Sequence, residues 1–277
     1  MENQQKISSD KSGSDHSSVR SVMRALDILA LLNEERTALN IRDTSAETGL
    51  PKTTVLRLLQ TLEQAGLLWG LGGGQYVPGP ALLRWARIAD ETWMFPPEFK
   101  DVLFELSQTA RETANVYVRK GLKRICIAQA AGPQSLRHVI KVGDELPLWA
   151  GAASKILLVN VPKTFLEKVA IDSPKGMQHL TALQQSISEA GKNGWAVSHA
   201  ERDDGVSAVA VPLLGSDGRC IAALSLSGPS SRFSEDRIAV FIEQLKKSAQ
   251  KISAFTNGGL RTRHVALSNL SNNQGDK

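Results

Sequence analysis

Leu39–Leu68, LNIRDTSAETGLPKTTVLRLLQTLEQAGLL, is the stretch that decides the fold, because it predicts two short helices joined by a tight turn. Asn40 suits the N-terminal cap of the first helix, and Asp43 follows at the spacing of a capping box. Gly49 ends that helix, because glycine readily adopts the positive φ that a helix terminus requires. Pro51 suits the first turn of the next helix, where its missing N–H costs nothing.

The second helix, about residues 52–65, has an apolar side and a polar side. At about 100° per residue one side collects the aliphatic residues Val55, Leu58, Leu59 and Leu62. The other side carries hydrogen-bonding groups and an arginine, which is the chemistry that reads base edges in a major groove. An ordinary amphipathic helix with a solvated face has the same pattern, but the preceding turn favours a helix-turn-helix. The candidate DNA-contacting residues are Arg24, Lys52, Thr53, Thr54, Arg57 and Gln60.

A glycine-rich hairpin is expected directly after this helix. Residues 67–69 and 75–77 flank Gly70–Gly74, a pattern typical of two strands and a tight loop. The loop has no lysine or arginine, so it could contact phosphates only through backbone N–H groups. An amphipathic helix is expected over residues 19–35, with Val22, Leu26, Leu29 and Leu32 on its apolar side. These elements predict a winged helix-turn-helix domain at residues 18–80.

Composition indicates a soluble cytoplasmic protein of two domains. The chain of 277 residues has room for two modest domains, and 42% hydrophobic with 22% charged residues is ordinary for globular proteins. No apolar run is long enough to span a membrane, and the polar N-terminus is unlike a signal peptide. Cys126 and Cys220 form no metal or redox motif, so we expect a reducing compartment, small apolar roles for both, and no cofactor.

The formal net charge of +5 is weak evidence for DNA binding. Residues 18–80 contain six Lys or Arg and six Asp or Glu, so the expected DNA-binding module is neutral. Long-range attraction to phosphates is therefore small, and paired half-site contacts must supply much of the affinity. We expect a homodimer or a dimer of dimers on double-stranded DNA.

Outside this module, the chain divides into tails, a linker and a second domain. Residues 1–17 are expected to be a disordered tail and residues 257–277 a flexible one. Residues 81–94 read as a linker helix that contacts a second copy or packs on its own winged domain. Residues 95–256 mix hairpins with helices, which predicts an α+β domain. Its expected helices are 98–113, 152–161, 180–192 and 234–255, and its expected strands are 114–119, 124–130, 195–199, 206–214 and 219–227.

Several motifs follow one another in a specific order along residues 18–256. SVMRALDIL (21–29) and GLPKTTVLRLL (49–59) lie in the first half, and VGDELPL (142–148) with residues 150–155 lies in the second. Later motifs are GWAV (194–197), GV (205–206), AVP (210–212) and SLSGP (225–229). In this order and spacing, they resemble the IclR family of transcriptional regulators.

The resemblance implies a winged helix-turn-helix joined to a GAF-like effector domain. It also implies a dimer or tetramer on palindromic operators and a small organic acid as signal. The effector contacts of the family correspond here to Ala152, Ala153, Ser198, Ala208, Ser225 and Ser227. Some members have an acidic residue at Ser198, a cysteine at Ala208 and a histidine at Trp149, and these differences leave the ligand open.

The residues themselves support a pocket of this kind. Ser225 and Ser227 alternate along a strand, so their hydroxyls share one face. Gly151 and the two alanines after it would let a ligand approach the start of a helix, where free N–H groups favour a carboxylate. Trp149, just before this entry, is a further candidate contact. Packing alone would also explain the small residues, with the serines exposed on an edge.

Two other functions stay open at this point. A serine hydrolase could use Ser154 with His138, His199 or Asp203, although no Gly-x-Ser-x-Gly elbow frames a serine. A DNA-binding regulator without an effector would need only the first domain and a partner. The sequence favours a ligand-responsive regulator that senses a small organic acid, with an aromatic acid as a candidate. No metal-ligand spacing is present.

Overall fold

A computed structural model of the chain describes residues 19–33, 35–93, 97–215 and 217–259, with backbone only for 90–93 and 255–259. The chain forms two compact units, residues 1–91 and 92–277. The tail predicted at 1–17 lies outside the described residues, as does most of the tail predicted at 257–277. Within the described part, no helix is long and apolar enough to cross a membrane.

The first unit is the winged helix-turn-helix that the sequence predicts. Its described helices are α1 (Arg20–Leu29), α2 (Ile41–Thr48), α3 (Lys52–Gln64) and α4 (Ala81–Trp93). Its described strands are β1 (Leu39–Asn40), β2 (Leu68–Gly72) and β3 (Gln75–Pro78). They form an antiparallel sheet in the order β1-β3-β2, in which β2 and β3 are the wing. The short strand β1 has no counterpart in the sequence prediction, because two residues carry no periodic signal.

The turn between α2 and α3 forms as the sequence predicts. The Asn40 Oδ1 atom accepts a hydrogen bond from the backbone N–H of Asp43 at 2.9 Å. Gly49 has a φ of 66°, the left-handed conformation that ends α2. Pro51 caps α3 from just outside the helix. On α3, Val55, Leu59 and Leu62 are buried, which confirms the predicted apolar side and leaves the polar side outward.

The apolar side predicted for α1 is only partly buried. Val22 and Leu26 are 54% and 50% exposed, whereas Ile28 is fully buried against α3 and the sheet. The helix ends at Leu29 rather than near residue 35, and Leu29 and Leu32 are partly buried against the same core, so the exposed residues of the predicted side are Val22 and Leu26. As a result, α1 presents apolar side chains to solvent.

The second unit is an α+β domain built on one antiparallel sheet. Its described helices are α5 (Pro97–Ala110), α6 (Ala152–Leu157), α7 (Lys163–Ile171), α8 (Leu180–Asn193) and α9 (Glu235–Gly259). Its described strands are β4 (Thr113–Lys120), β5 (Lys123–Ala130), β6 (Glu145–Pro147), β7 (Ala196–His199), β8 (Val206–Leu214) and β9 (Cys220–Pro229). Among these residues, the strand order is β6-β5-β4-β9-β8-β7.

Both faces of this sheet are covered by helices. Leu224 and Leu226 of β9 lie in a core with α5 and α9. Ala223 lies in a second core with α6, α7 and α8. Because strand residues alternate between faces, Ser225 and Ser227 share the face of Ala223 and point toward α6. The two serines are therefore buried under a helix rather than exposed on an edge.

The helix predicted over residues 152–161 is shorter than expected. It ends at Leu157, and Asn160 adopts a left-handed φ of 67° before α7 begins at Lys163. His138, a residue of the serine-hydrolase alternative, lies in the loop between β5 and β6. That loop brings His138 to the same face of the sheet as the serines, at hydrogen-bond distance from Ser227.

Candidate functional site

The predicted DNA-contacting residues on α3 lie on its outward side. Lys52, Thr53, Arg57 and Gln60 are exposed, and Thr54 is half-buried. Within the described part of the chain, the Arg57 side chain makes no hydrogen bond or ion pair. Arg24 lies on a different helix, α1, and is half-buried. The structure therefore brings the α3 residues together on one exposed face, whereas Arg24 belongs to a different helix.

The electrostatics of this unit are balanced, as its composition predicts. The half-buried Arg36 forms a two-point ion pair with Glu47, with Nη1 and Oε2 at 2.6 Å, so its charge is already matched. In the wing, Gly72, Gly73 and Gly74 all have positive φ and form the tight tip. Contacts with phosphates from this tip are limited to its backbone.

In the second unit, the predicted effector residues surround one small cavity. Ser198 of β7, Ala208 of β8 and Ser227 of β9 are cross-strand neighbours in one row. Small side chains along this row leave a gap between the sheet and the start of α6. We call this gap the serine cavity; six of the seven predicted residues line it, namely Ala152, Ala153, Ser198, Ala208, Ser225 and Ser227. Trp149 is not among its lining residues and instead packs in the core beneath α6.

Two of the three serine hydroxyls have no protein partner. Ser198 and Ser225 are 6% and 2% exposed, and neither side chain forms a hydrogen bond within the described residues. The Ser227 hydroxyl is engaged, since it accepts a hydrogen bond from Asn115 Nδ2 at 3.1 Å and lies 3.0 Å from His138 Nδ1. Buried hydroxyls normally find a partner, so Ser198 and Ser225 are available to a ligand or water.

Arg124 is one of two arginines that line the serine cavity, and it is almost completely buried. Its Nη1 donates to the carbonyl oxygens of Pro147 at 2.8 Å and Ala150 at 2.5 Å, and also to Ser154 Oγ. Its guanidinium lies over the Tyr117 ring, 5.3 Å from the centroid. Burial lowers the pKa of Arg124 to about 10, so it stays charged at neutral pH. Its Nε is buried without a partner among the described residues.

A loop of residues 200–205 brings three further charged side chains to the cavity. Glu201 accepts a hydrogen bond from the Gly151 N–H at 2.9 Å and forms an ion pair with Lys155 at 2.5 Å. Arg202 binds Asp203 through two nitrogens, and this contact lowers the pKa of the Asp203 carboxyl. The carboxylates of the loop thus offset the cations, and Glu201 occupies the Gly151 N–H, directly before the helix start at Ala152 and Ala153 that the sequence offered to a ligand.

His138 is neutral at neutral pH. Burial lowers its pKa below the ordinary value of 6.5, and the nearby Arg202 lowers it further. The 3.8 Å approach of His138 Nε2 to Asp203 is therefore not an ion pair at neutral pH. Asp203 is instead held by Arg202.

The serine-hydrolase alternative has little support in this geometry. Ser154 contacts Arg124 and the Pro147 carbonyl, with no histidine partner within the described residues. Ser227, His138 and Asp203 are the residue types of a catalytic triad, but 3.8 Å is too long for the histidine–aspartate hydrogen bond. Ser227 also lies within a buried strand and already accepts a hydrogen bond. This arrangement does not activate a nucleophile.

The two thiols are inert. Cys126 is fully buried, Cys220 is half-buried, and each Sγ donates to a nearby carbonyl, at 3.4 Å and 3.2 Å respectively. Burial raises the pKa of both thiols to about 12. No group of three or more His, Cys, Asp or Glu that could hold a metal occurs within the described ranges.

Sequence reasoning missed the charged half of the serine cavity. Arg124, Glu201, Arg202 and Asp203 all line it, although the predicted set contains only small and aromatic residues. The run Glu201–Asp204 between two strands was a usable signal, because four charged residues in a short loop beside a strand of small residues are unusual. Nothing local indicated that Arg124 turns inward.

Comparison with known proteins gives consistent matches over nearly the whole globular part. The family model described as "Bacterial transcriptional regulator IclR C-terminal" matches residues 97–254. The model described as "IclR helix-turn-helix domain" matches residues 21–69. Together they cover both compact units.

Individual proteins agree with the family models. The HTH-type transcriptional regulator XynR of Escherichia coli is 30% identical over 242 residues, covering 85% of this chain and 96% of XynR. A solved IclR-family regulator of Rhodococcus sp. is 39% identical with a TM-score of 0.58, covering 90% of this chain and 98% of that one. An IclR homologue of Microbacterium hydrocarbonoxydans, solved with 4-hydroxybenzoate, has a TM-score of 0.67 at 20% identity, covering 86% and 100%.

The protonation of His138 can be measured directly. In an NMR titration of the His138 ring, we expect a midpoint below 6.5 because burial and Arg202 disfavour the imidazolium. Arg202→Gln should move the midpoint upward, whereas Arg137→Gln, which removes an exposed neighbouring charge, should not. The neutral His138 ring contributes to the folding stability fully above pH 6.5. This contribution is lost as the pH falls through the folded-state pKa, because the ring takes up a proton at higher pH in the unfolded chain than in the folded protein. A midpoint at or above 6.5 in the parent protein contradicts this assignment.

Proposed function

We propose, on the premise that the chain belongs to the IclR family of bacterial transcriptional regulators, that it binds a palindromic operator and responds to a small organic acid in its second unit. Membership makes the chain a DNA-binding transcriptional regulator and not an enzyme. The operator symmetry, the acid and the residues in contact with each are the proposal. We also propose that it acts in the cytoplasm, where a bacterial regulator meets its operator.

The DNA contact that we propose is made by the outward side of α3. Arg57 is exposed and has no partner within the described residues, so its guanidinium is free for a guanine edge or a phosphate. Thr53 and Gln60 share the exposed side and add neutral hydrogen-bonding groups. Because the unit has balanced charge, such short-range contacts carry more of the affinity than long-range attraction.

The observation that carries the effector proposal is the set of polar atoms without protein partners in the serine cavity. Ser198 and Ser225 present unpaired hydroxyls, and Arg124 has an unpartnered Nε beside an Nη2 that makes no hydrogen bond with the described residues. Nη1 of Arg124 is fixed by two carbonyls, so the Nε–Nη2 edge is held in place. That edge matches the two oxygens of a carboxylate.

This arrangement changes the anion contact expected from the sequence. The helix α6 has only six residues, and the Gly151 N–H before it already donates to Glu201. We therefore assign the ligand carboxylate to Arg124 and the two serines, with Ala152 and Ala153 leaving space for the body of the acid. Trp149 is outside the lining and is dropped from the proposed contacts.

Binding requires the cavity to open. Its volume is about 40 Å³, enough for a few waters and far below the ~300–1,000 Å³ of typical ligand pockets. We take the loop of residues 200–205 as the movable wall, because Glu201 ties it to the start of α6 through exchangeable polar contacts, with Lys155 and the Gly151 N–H, whereas the Arg202–Asp203 pair lies within the loop. We propose that the acid enters as this loop moves away. The bound 4-hydroxybenzoate of the Microbacterium homologue makes that acid a sensible first probe.

The small cavity also favours a second candidate function. If the loop stays closed, the protein is a DNA-binding regulator without a small-molecule effector. A thermal-shift screen of small carboxylates separates the two, because a ligand that binds the native state raises its apparent stability.

For assembly, we propose a homodimer or a dimer of dimers. Leu83 and Trp85 of α4 are 75% and 54% exposed, and α1 exposes Val22 and Leu26. Exposed apolar side chains on two helices of one small unit are costly in a monomer and are the usual material of subunit contacts. Two copies would also present two α3 helices to a palindrome.

The role of Arg57 can be tested in a gel-shift titration with the operator. Arg57→Ala should weaken binding by about 1–3 kcal/mol if the contact is to a base edge. Arg137→Ala removes an equal charge from an exposed position in the second unit and should leave affinity unchanged. Unchanged affinity of a folded Arg57→Ala protein removes this residue from the interface.

The assembly can be tested by light scattering. Leu83→Glu with Trp85→Glu should weaken self-association about tenfold or more, since each buried side chain contributes about 1.5–3 kcal/mol. Leu136→Glu alters an equally exposed leucine, 71% accessible in the second unit, and should have no effect. A parent protein that is monomeric at operator-binding concentrations overturns the dimer.

The effector site can be tested with an acid from the screen, beginning with 4-hydroxybenzoate. Ser198→Ala with Ser225→Ala should weaken its binding, because each lost hydrogen bond to a charged oxygen costs about 1.5–3 kcal/mol. Neither hydroxyl has a protein partner, so the folding stability should hardly change. Binding should be measured by calorimetry.

Two further variants make this test specific. Ser207→Ala removes a buried hydroxyl that bonds His199 and Ser230 outside the cavity, and it should leave acid binding unchanged. Glu201→Gln weakens the closed loop and should strengthen acid binding. Parent-like affinity in the double serine variant places the acid elsewhere, and no binding by any acid supports the regulator without an effector.

A further inference from the structure

A second and larger cavity lies at the other end of α6. Its volume is about 490 Å³, within the ~300–1,000 Å³ of typical small-molecule sites. Ala152 and Ala153 of α6 line the serine cavity, whereas Ile156 and Leu157 line this one. We call it the Arg119 cavity after the cation in its wall. It shares no lining residue with the serine cavity.

Arg119 is half-buried and has no anionic partner. Across the described residues, its guanidinium makes no hydrogen bond and no ion pair, and its Nε is fully shielded from water. Burial lowers its pKa, and no carboxylate contributes to that pKa. A donor atom shielded from water normally has a hydrogen-bond partner, because an unpaired one, such as this Nε, loses hydration without compensation. This cation is therefore held ready for an anion that the chain does not supply.

The orientation of this guanidinium is fixed by an aromatic ring. Its central carbon lies 4.7 Å from the centroid of Phe165, a cation–π contact that orients the planar fork. A fixed planar fork suits the two oxygens of a carboxylate better than a flexible ammonium would. The rest of the wall is largely apolar, including Ile156, Leu157 and Leu214.

The other charges at the cavity limit the ligand to one negative charge. Arg219 lies on the rim and is 75% exposed, and its Nε is 3.7 Å from Asp217. These two charges offset each other, so Arg119 is the uncompensated one. A doubly charged phosphate would meet the Asp217 carboxylate, whereas a monocarboxylate needs only Arg119.

We propose that the Arg119 cavity is a second ligand site, which takes an amphipathic monocarboxylate whose head binds Arg119 and whose apolar body fills the space beside α6. The site is independent of the proposed effector site, because the two cavities use different residues and different cations. Its ligand is a medium-chain fatty acid or an aromatic acid of similar bulk.

The proposal is tested by calorimetry on the full chain with octanoate and 2-naphthoate as probes, and octanamide as a neutral isostere of octanoate. At least one acid should bind, and octanamide should bind at least about tenfold more weakly than octanoate if octanoate is that acid. Arg119→Met should weaken the acid about tenfold or more. Because an unpaired charge is removed, this variant should keep or raise the thermal midpoint.

Matched variants locate the binding. Lys120→Met removes an exposed charge from the same strand and should leave affinity within about twofold, as should Ser198→Ala with Ser225→Ala in the other cavity. Leu214→Trp narrows the Arg119 cavity without touching Arg119 and should also weaken binding. If Arg119→Met fails to fold, Leu214→Trp still tests whether the acid binds in the Arg119 cavity.

The outcomes that overturn the proposal are distinct. The proposal is overturned if neither acid binds the parent protein at millimolar concentration. It is also overturned if Arg119→Met and Leu214→Trp both fold and bind the acid as tightly as the parent does. Loss of binding in the double serine variant alone assigns the acid to the serine cavity and also overturns the second site. Equal affinities for octanamide and octanoate would show that the negative charge of the ligand does not contribute to binding, which contradicts the assigned contact with Arg119.

Discussion

The second unit depends on a central pair of strands that helices cover on both faces. Strands β4 and β9 lie in the middle of the sheet, with α5 and α9 on one face and α6 on the other. Leu224 and Leu226 therefore pack into one core, and the residues that alternate with them face α6 on the other side of the sheet. Those positions need small side chains, or polar side chains that have a hydrogen-bonding role. Ser225 and Ser227 fill those positions. A polar stripe buried in a sheet is tolerated only if its hydroxyls find partners or a cavity, and here they find both.

The helix α6 is the shared wall of two cavities that differ in character. At its start, the charges around the serine cavity are matched within the protein, with Glu201 on Lys155 and Asp203 on Arg202. At its end, Arg119 is unmatched. The first cavity is small and closed by its own side chains, whereas the second is open without any rearrangement. The two cavities therefore share one wall of six residues but no lining residue.

Much of the fold followed from local sequence signals. The Asn40 cap, Gly49 and the apolar side of α3 depend on neighbouring residues, and strand β8 has the predicted bounds of residues 206–214. The contacts that failed prediction join distant parts of the chain. Arg124 meets Ser154 across 30 positions and Glu201 meets Gly151 across 50, and no periodicity encodes such pairs. Helical spacing placed Val22 and Leu26 of α1 on an apolar side, but it does not encode whether another element covers them, and both are exposed.

The buried thiols have a consequence for how the protein experiences oxidants. Peroxide attacks the thiolate, and with pKa values of about 12 for Cys126 and Cys220 the thiolate fraction at pH 7 is on the order of one in 100,000. Cys126 is also fully shielded from solvent. Both sulfurs are therefore poor substrates for sulfenylation or glutathione exchange. Neither thiol is therefore suited to act as a redox switch.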